Sequence, residues 1–273
     1  MKKVAVLLAT YNGGIRLKVL LDSLLGQSYR EFKIYVHDDL SKDNTLSLIN
    51  EYKDSKIIVL KDFVNRGAKG SFMWLLENVT ADYYMFCDQD DFWLPHKIEQ
   101  SVYKMEILEK DHPDSPICLH TDLAVVDANY NIIKKSLWKL SKVKPRILEN
   151  KDYIQVFNCV TGCTMIFNQR AKECALPMND LAPMHDFWVA YQTLAHGGIL
   201  THIPYSTILY CQHGSNEVGA NNVGISYILK KIIHIKKIIF ENIECYKLMH
   251  QISGISWCRY LYCKISFEIR RLI

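Results

Sequence analysis

The sequence predicts an α/β fold with a mostly parallel central sheet, helices on both faces and a C-terminal helical extension. Three observations carry this expectation. Short apolar runs alternate with amphipathic stretches four times in the first 110 residues, the pattern of a buried parallel sheet with crossover helices. Each run ends in, or is soon followed by, polar or glycine-rich residues, and in open sheets that rim binds ligands. Past Gly224 the chain changes to an apolar and basic helical periodicity.

Lys3–Ala9 is continuously apolar, as a strand covered on both faces should be. Thr10-Tyr11-Asn12-Gly13-Gly14 is turn chemistry. A helix follows, with Ile15, Val19, Leu20, Leu24 and Leu25 at helical spacing and Gly26 closing it. Phe32–His37 is the second strand. Ser41 or Asp43 is the expected N-cap of a helix running through Tyr52. Lys56–Leu60 is the third strand, and the Asn65–Gly70 loop opens a helix from Ser71 to about Asn78. Tyr83–Cys87 is the fourth strand, and Leu94-Pro95 starts the next helix, with proline in the first turn.

The second half is less regular. Ile117–Val126 reads as a strand, Asn129–Asn150 as a loop or hairpin, and Cys163–Phe167 as a strand. Asp186–Ala195 reads as a helix, and Ile199–Cys211 as one or two strands broken by Pro204. His213–Gly224 has loop composition. From Ile225 to Tyr246 an isoleucine-rich stripe at helical spacing marks a helix, and a second follows Gly254.

Composition places the chain among folded soluble proteins: 273 residues, 49% apolar and 23% charged. Net charge is +4, with +6 in the last 49 residues and −2 in residues 1–224, so the basic excess is assigned to the tail. The nine cysteines contain no CxxC pair, so reduced, mostly buried thiols of a cytoplasmic protein are expected rather than zinc or disulfides. The first apolar run, Val4 to Ala9, is too short for a signal peptide, and none reaches the ~18 residues that span a bilayer. Nucleic acid is not an expected partner, because the basic residues lack aromatic interleaving on a sheet.

Three carboxylates, Asp88, Asp90 and Asp91, crowd the end of the fourth strand. Packed like charges repel and need something positive among them. Asp88 and Asp90 suit a hard divalent ion, Mg²⁺ or Mn²⁺, shared with a diphosphate; the bland alternative is helix capping, which fits Asp91 alone. Asp38 and Asp39 read as a cap or as contacts to a pyrimidine or ribose. Lys69 reads as a phosphate contact or a solvated lysine, and GAKG lacks P-loop spacing. Asp186, beside Phe187 and Trp188, reads as a general base raised by apolar surroundings or as an N-cap. His213 reads as a third metal ligand or as a histidine satisfied by a neighbour.

In order along the chain, VAVLLATYNGG, HDDLSKDNT, NRGAKGSF, FCDQDDFWLPHKIE, CVTGCTMIFN, MHDFWVA and YCQHGSNEVGA resemble the family 2 glycosyltransferases with the GT-A fold. The similarity is strongest to the bacterial branch with rhamnosyltransferases of surface polysaccharides. It runs from Val4 to about Ala220 and implies a GT-A catalytic domain over 1–224, with a nucleotide-binding half (1–110) and an acceptor-binding half (111–224). Residues 225–273 are the basic amphipathic helices outside it. The resemblance implies an inverting, metal-dependent transfer of a sugar from a dTDP- or UDP-sugar to a glycan or lipid-linked acceptor. Thr10, Tyr11, Asn12, Asp38 or Asp39, Lys69, Asp88 and Gln89 would hold the nucleotide. Asp88, Asp90 and His213 would serve the metal, and Asp186 would be the base. Asp91, Trp93, Thr161, Gly162, His185 and Trp188 would line the sugar and acceptor side. Departures are Leu40, where the family usually has a small residue, and Cys211, where arginine is common.

Two rivals stand beside this reading. A sugar-1-phosphate nucleotidylyltransferase would need a long Gly/Arg-rich loop that ATYNGGIRL lacks. A non-catalytic nucleotide- or metal-binding scaffold of a polysaccharide assembly complex would show no donor hydrolysis. The basic tail is expected either to lie on an anionic inner membrane face, making the protein peripheral there, or to pack on the core with its lysines solvated.

Overall fold

Val4, Val6 and Leu8 point to one face of strand β1 (Val4–Thr10), Ala5 and Leu7 to the other, and all five are buried. That alternation builds two cores, one on each side of the sheet. The computed structural model describes residues 1–211 and 235–272. After β1 come α1 (Gly14–Leu25), β2 (Phe32–Asp38), α2 (Thr45–Glu51), β3 (Ile57–Val59), α3 (Gly67–Asn78), β4 (Tyr83–Cys87), β5 (Phe92–Trp93), α4 (Lys97–Asp111) and β6 (Ile117–Val126). Then follow β7 (Ile132–Lys134), short helices α5 (Leu137–Leu140), α6 (Pro145–Leu148) and α7 (Lys151–Ile154), and a 3-10 turn at Gly162–Thr164. The chain continues through β8 (Ile166–Asn168), α8 (Gln169–Ala175), α9 (His185–Ala195), β9 (Ile199–Cys211), α10 (Ile235–Ser253) and α11 (Trp257–Leu272).

The sheet runs β3-β2-β1-β4-β8-β6-β9-β5, with β7 on β6. The first four strands pair in parallel. Antiparallel β8 joins β4 to β6, and β9 runs parallel to β6. The carboxyl ends of β1, β2, β4, β6 and β9 therefore share one rim, and one continuous sheet crosses both halves of the chain.

Several local expectations are corrected. Helix α3 begins at Gly67 rather than Ser71, because Asp39 caps it from the end of β2: its carboxylate accepts from the N–H groups of Arg66 (2.6 Å) and Gly67 (2.9 Å). Helix α4 begins at Lys97, beyond Leu94-Pro95. The stretch expected as a loop or hairpin, Asn129–Asn150, carries β7 and the four-residue helices α5 and α6, with α7 directly after it. The strand expected from Cys163 is the 3-10 turn followed by β8. Strand β9 passes Pro204 unbroken, with its register against β6 shifting there.

The tail helices pack onto the body. Tyr260, Cys263 and Phe267 of α11 join the core beneath α9. Ser266 shares a hydrogen bond with Tyr153, the Lys264 ammonium donates to the Val156 carbonyl, and the Arg271 guanidinium donates to the Ser141 carbonyl. The opposite side of α11 exposes Leu261, Tyr262, Ile265 and Ile269, the last two 52% and 53% exposed. Residues 225–234, with Lys230 and Lys231, lie outside the described residues, as do the side chains of Lys236 and Lys237.

Candidate active site

The ends of β1 and β2 are tied together by side chains. The Thr10 hydroxyl donates to Asp38 (2.8 Å), whose carboxylate also accepts from the Ser41 amide and hydroxyl. Asn12 accepts from the Lys42 amide, and its own amide donates to Ser41. Asn12 and Leu40 both take positive φ, 49° and 63°. Asparagine tolerates that region; a leucine there is uncommon and carries a cost of roughly 1–2 kcal/mol. The backbone thus explains why a small residue suits position 40.

Gln89 clamps the β1 turn to the end of β4. Its side chain accepts from the Tyr11 amide and donates to the Tyr11 carbonyl, both at 2.9 Å. Gly13 makes room for it: a Cβ at 13 would lie 2.8 Å from the Gln89 carbonyl oxygen. Thr10, Tyr11, Asn12, Asp38, Asp39 and Gln89 are therefore gathered at one place. Lys69 points elsewhere, its ammonium donating to the backbone carbonyls of Asp180 (3.2 Å) and Ala182 (3.0 Å). It pins α3 to the loop before α9.

Asp88 and Asp90 are half-buried at the rim, and Asp91 is wholly buried behind them. One donor atom each of Asp88, Asp91 and Cys163 lies within 4.8 Å of the others. Burial, then the charges of Asp88 and Asp90, push the Asp91 carboxyl well above the usual range. The nearby cation that the sequence reading did not find is Lys97, from the first turn of α4. It is fully buried, its ammonium 4.4 Å from the Trp93 ring centre, and burial lowers its pKa to about 8. Its place in the sequence is the LPHK run, two residues after the proline expected to start the helix. Trp93 is in the core, not on a sugar-binding face.

Two further groups reach this rim. Tyr210, near the end of β9, has its hydroxyl pKa raised by burial and then by Asp91 and Asp88. Burial raises the pKa of Cys211 and of Tyr130, and Arg16 of α1, close to both, opposes that rise. A positive charge therefore stands near position 211, where Cys211 itself is buried. His213 lies outside the described residues.

Asp186 opens α9. Its carboxylate accepts from its neighbour's amide, Phe187 N–H (2.6 Å), and from Gly162 N–H (3.1 Å). Burial raises its pKa to about 6, with those bonds acting in the opposite direction. Gly162 comes this close because it has no side chain; a Cβ would lie 2.8 Å from the His185 ring nitrogen Nε2. His185 is buried against Phe72 and Phe86, with burial lowering its pKa to about 3. Trp188 is also buried, its indole N–H held by the Ala175 carbonyl. His185 and Trp188 thus support Asp186 from the core rather than facing a sugar. Thr161 caps the 3-10 turn, accepting from Thr164 through its carbonyl. That turn joins the two centres: Gly162 holds Asp186, and Cys163, the next residue, meets Asp88 and Asp91.

Asp88 and Asp90 offer oxygen donors that suit a hard divalent ion. The Cys163 thiol beside them is raised well above its ordinary pKa by burial and by Asp91, so it stays protonated and adds no thiolate for a softer metal.

Comparison with known proteins follows the same lines. The model for glycosyl transferase family 2 matches residues 5–173. The chain is 29% identical over 232 residues to dTDP-rhamnosyl transferase RfbG of Shigella flexneri, covering 78% of this chain and 74% of that one. It is 35% identical over 106 residues to the Escherichia coli UDP-Glc:alpha-D-GlcNAc-diphosphoundecaprenol beta-1,3-glucosyltransferase WfaP. That match covers 39% of this chain and 42% of WfaP, and the related E. coli WfgD is spanned over 60% of its length. Among solved structures, S. aureus TarS in complex with UDP-GlcNAc superposes with a TM-score of 0.62 at 17% identity, over 98% of this chain and 72% of that one. The mostly parallel sheet with its flanking helices is that of a GT-A fold, and the C-terminal helices are added to it.

Proposed function

The chain belongs to glycosyl transferase family 2, and from that premise we propose that it moves a sugar from a UDP- or dTDP-linked donor to a hydroxyl of a lipid-linked or polysaccharide acceptor, with inversion. One observation carries this reading: a carboxylate raised to about 6 sits one residue along a shared turn from the acidic rim. A group with that pKa is ionised at neutral pH and still takes up a proton readily.

The donor lies on the rim, with its nucleoside among Thr10, Tyr11, Asn12, Asp38 and Asp39 and its diphosphate beside Asp88 and Asp90. Those two carboxylates would hold Mg²⁺ or Mn²⁺, which when bound supplies charge stabilisation for the departing diphosphate. Asp186 takes the proton of the acceptor hydroxyl as that oxygen bonds to the anomeric carbon and the nucleoside diphosphate leaves from the opposite face. One displacement inverts the carbon. Lys97, buried beside Asp91, offsets part of the negative charge of the rim from below. Asp39 contributes through α3: by capping that helix it fixes the loop that borders the nucleoside.

The protein works as a peripheral enzyme at an anionic membrane surface. No helix among the described residues is long and apolar enough to cross a membrane. The outward stripe Leu261, Tyr262, Ile265 and Ile269, on a tail of net charge +6, supports lying on one. Rhamnose as the transferred sugar is supported by the similarity to the Shigella protein.

Release of free sugar from UDP-glucose, UDP-GlcNAc and dTDP-rhamnose with Mn²⁺ or Mg²⁺ tests the reading. Turnover of one donor, lost in Asp90→Ala and on chelation, is the expected result. No hydrolysis of any of them by a protein that still binds UDP would leave only the scaffold.

A further inference from the structure

The mean charge of residues 1–224 conceals a local excess. Between Ala128 and Leu148 there are six basic residues and no acidic one. Four of the six, Lys134, Lys135, Lys139 and Lys142, line a cavity of about 580 Å³ between β7, α5 and the Pro204–Ser206 bend of β9. Tyr205, 47% exposed, forms part of its wall. Among the described residues none of the four lysines forms an ion pair, in contrast to Lys2, Lys247 and Arg259. The one carboxylate in the lining, Asp122, is buried and already used: it accepts from the Ser136 hydroxyl (2.5 Å) and from the N–H groups of Leu123, Leu137 and Trp138.

The four lysines are solvent-exposed, and together around one concavity they make a local positive patch that attracts an anion. The position of the cavity narrows the choice. Along β6, Cys118, His120 and Asp122 face the same side of the sheet. Cys118 lies in the core under α9, and the charge of Asp186 reaches it. Four residues further on, roughly 13 Å along the strand, Asp122 forms the cavity floor. The cavity and Asp186 thus open on one face, apart from the rim carboxylates.

We propose that this lysine-lined cavity binds the diphosphate of a lipid-linked acceptor, so that the acceptor spans from its anionic end here to its reacting hydroxyl at Asp186. This rests on the reading of the chain as a transferase to such acceptors. The site is an open concavity, which suits a compact diphosphate better than a flat layer of headgroups. It also gives the enzyme a way to refuse free sugars: the hydroxyl reaches Asp186 productively only when the charged end is anchored.

The test uses the full chain and the triple variant Lys134→Ala/Lys139→Ala/Lys142→Ala, with the donor site filled by UDP. Geranyl diphosphate is titrated calorimetrically against geraniol, which has the same chain without charge. Sedimentation with phosphatidylglycerol vesicles forms a separate arm. The expected result is binding of geranyl diphosphate but not geraniol, weakened roughly tenfold or more in the triple variant, with thermal unfolding and donor hydrolysis unchanged. Equal affinity in wild type and variant, or no binding by the wild type, would overturn the proposal. So would a loss confined to vesicle binding, because the lysines would then serve headgroups. Donor hydrolysis reports separately on the rim: its absence would defeat the transferase reading, whereas intact hydrolysis without diphosphate binding would defeat this one alone.

Discussion

Replacing Asp186 by asparagine should make the protein more stable at pH 8 and less active. The native carboxyl titrates near pH 6 because burial opposes its charge, whereas in the unfolded chain it titrates near ~3.9. Between these values the folded state keeps a proton that the unfolded state has released, so stability falls as pH rises through the window. Two pKa units at about 1.36 kcal/mol each give a penalty of about 3 kcal/mol above pH 6. Asparagine has nearly the same shape and no charge to desolvate. Its single oxygen satisfies only one of the Phe187 and Gly162 N–H groups, which returns about 1 kcal/mol. The net gain is about 2 kcal/mol at pH 8 and turns into a loss of up to about 1 kcal/mol at pH 4 and below, where the charge penalty is gone and the missing hydrogen bond remains. Urea unfolding of both proteins at several pH values between 4 and 8 measures it, and the stability difference should open with pH. A difference independent of pH, or a variant less stable at pH 8, would refute the reasoning. Transfer should show the complementary profile, with wild-type kcat/KM falling below about pH 6 as the base protonates.

Asp39→Ala should cost about 1–2 kcal/mol in ligand-free unfolding, because it strips α3 of a cap holding two amides; Asp39→Asn should recover part of it. Gly13→Ala should push Gln89 off the Tyr11 backbone and raise donor KM several-fold with little change in kcat; an unchanged KM would show that the clamp does not shape the nucleotide site. Ile265→Glu/Ile269→Glu should abolish sedimentation with anionic vesicles while leaving the melting temperature nearly unchanged, since both side chains are more than half exposed. Retained sedimentation would remove the membrane assignment.

The first half of the fold was legible because its strands are buried on both faces and read as unbroken apolar runs, from Val4 to Leu8 and from Tyr83 to Cys87. The acidic rim was legible for the same reason: charge stands out where such a run stops. Other features depend on distant partners. Asp39 lengthens α3 from 28 residues upstream, so the helix start at Gly67 carries no local mark. The four-residue helices α5, α6 and α7 are too short to show a period. Trp93 and Trp188 looked like sugar-binding rings because they adjoin aspartates, yet alternation along β5 and rotation along α9 turn both inward. Lys97 was hidden by its type, since lysine is seldom buried. The basic segment before Leu148 was lost in an average over 224 residues.

The 3-10 turn at Gly162–Thr164 has a mechanical consequence. Its first residue grips the base and its second abuts the acidic rim, with a single rigid peptide unit between them. The spacing between the acidic rim and Asp186 is thereby set by one short backbone segment rather than by two independent loops.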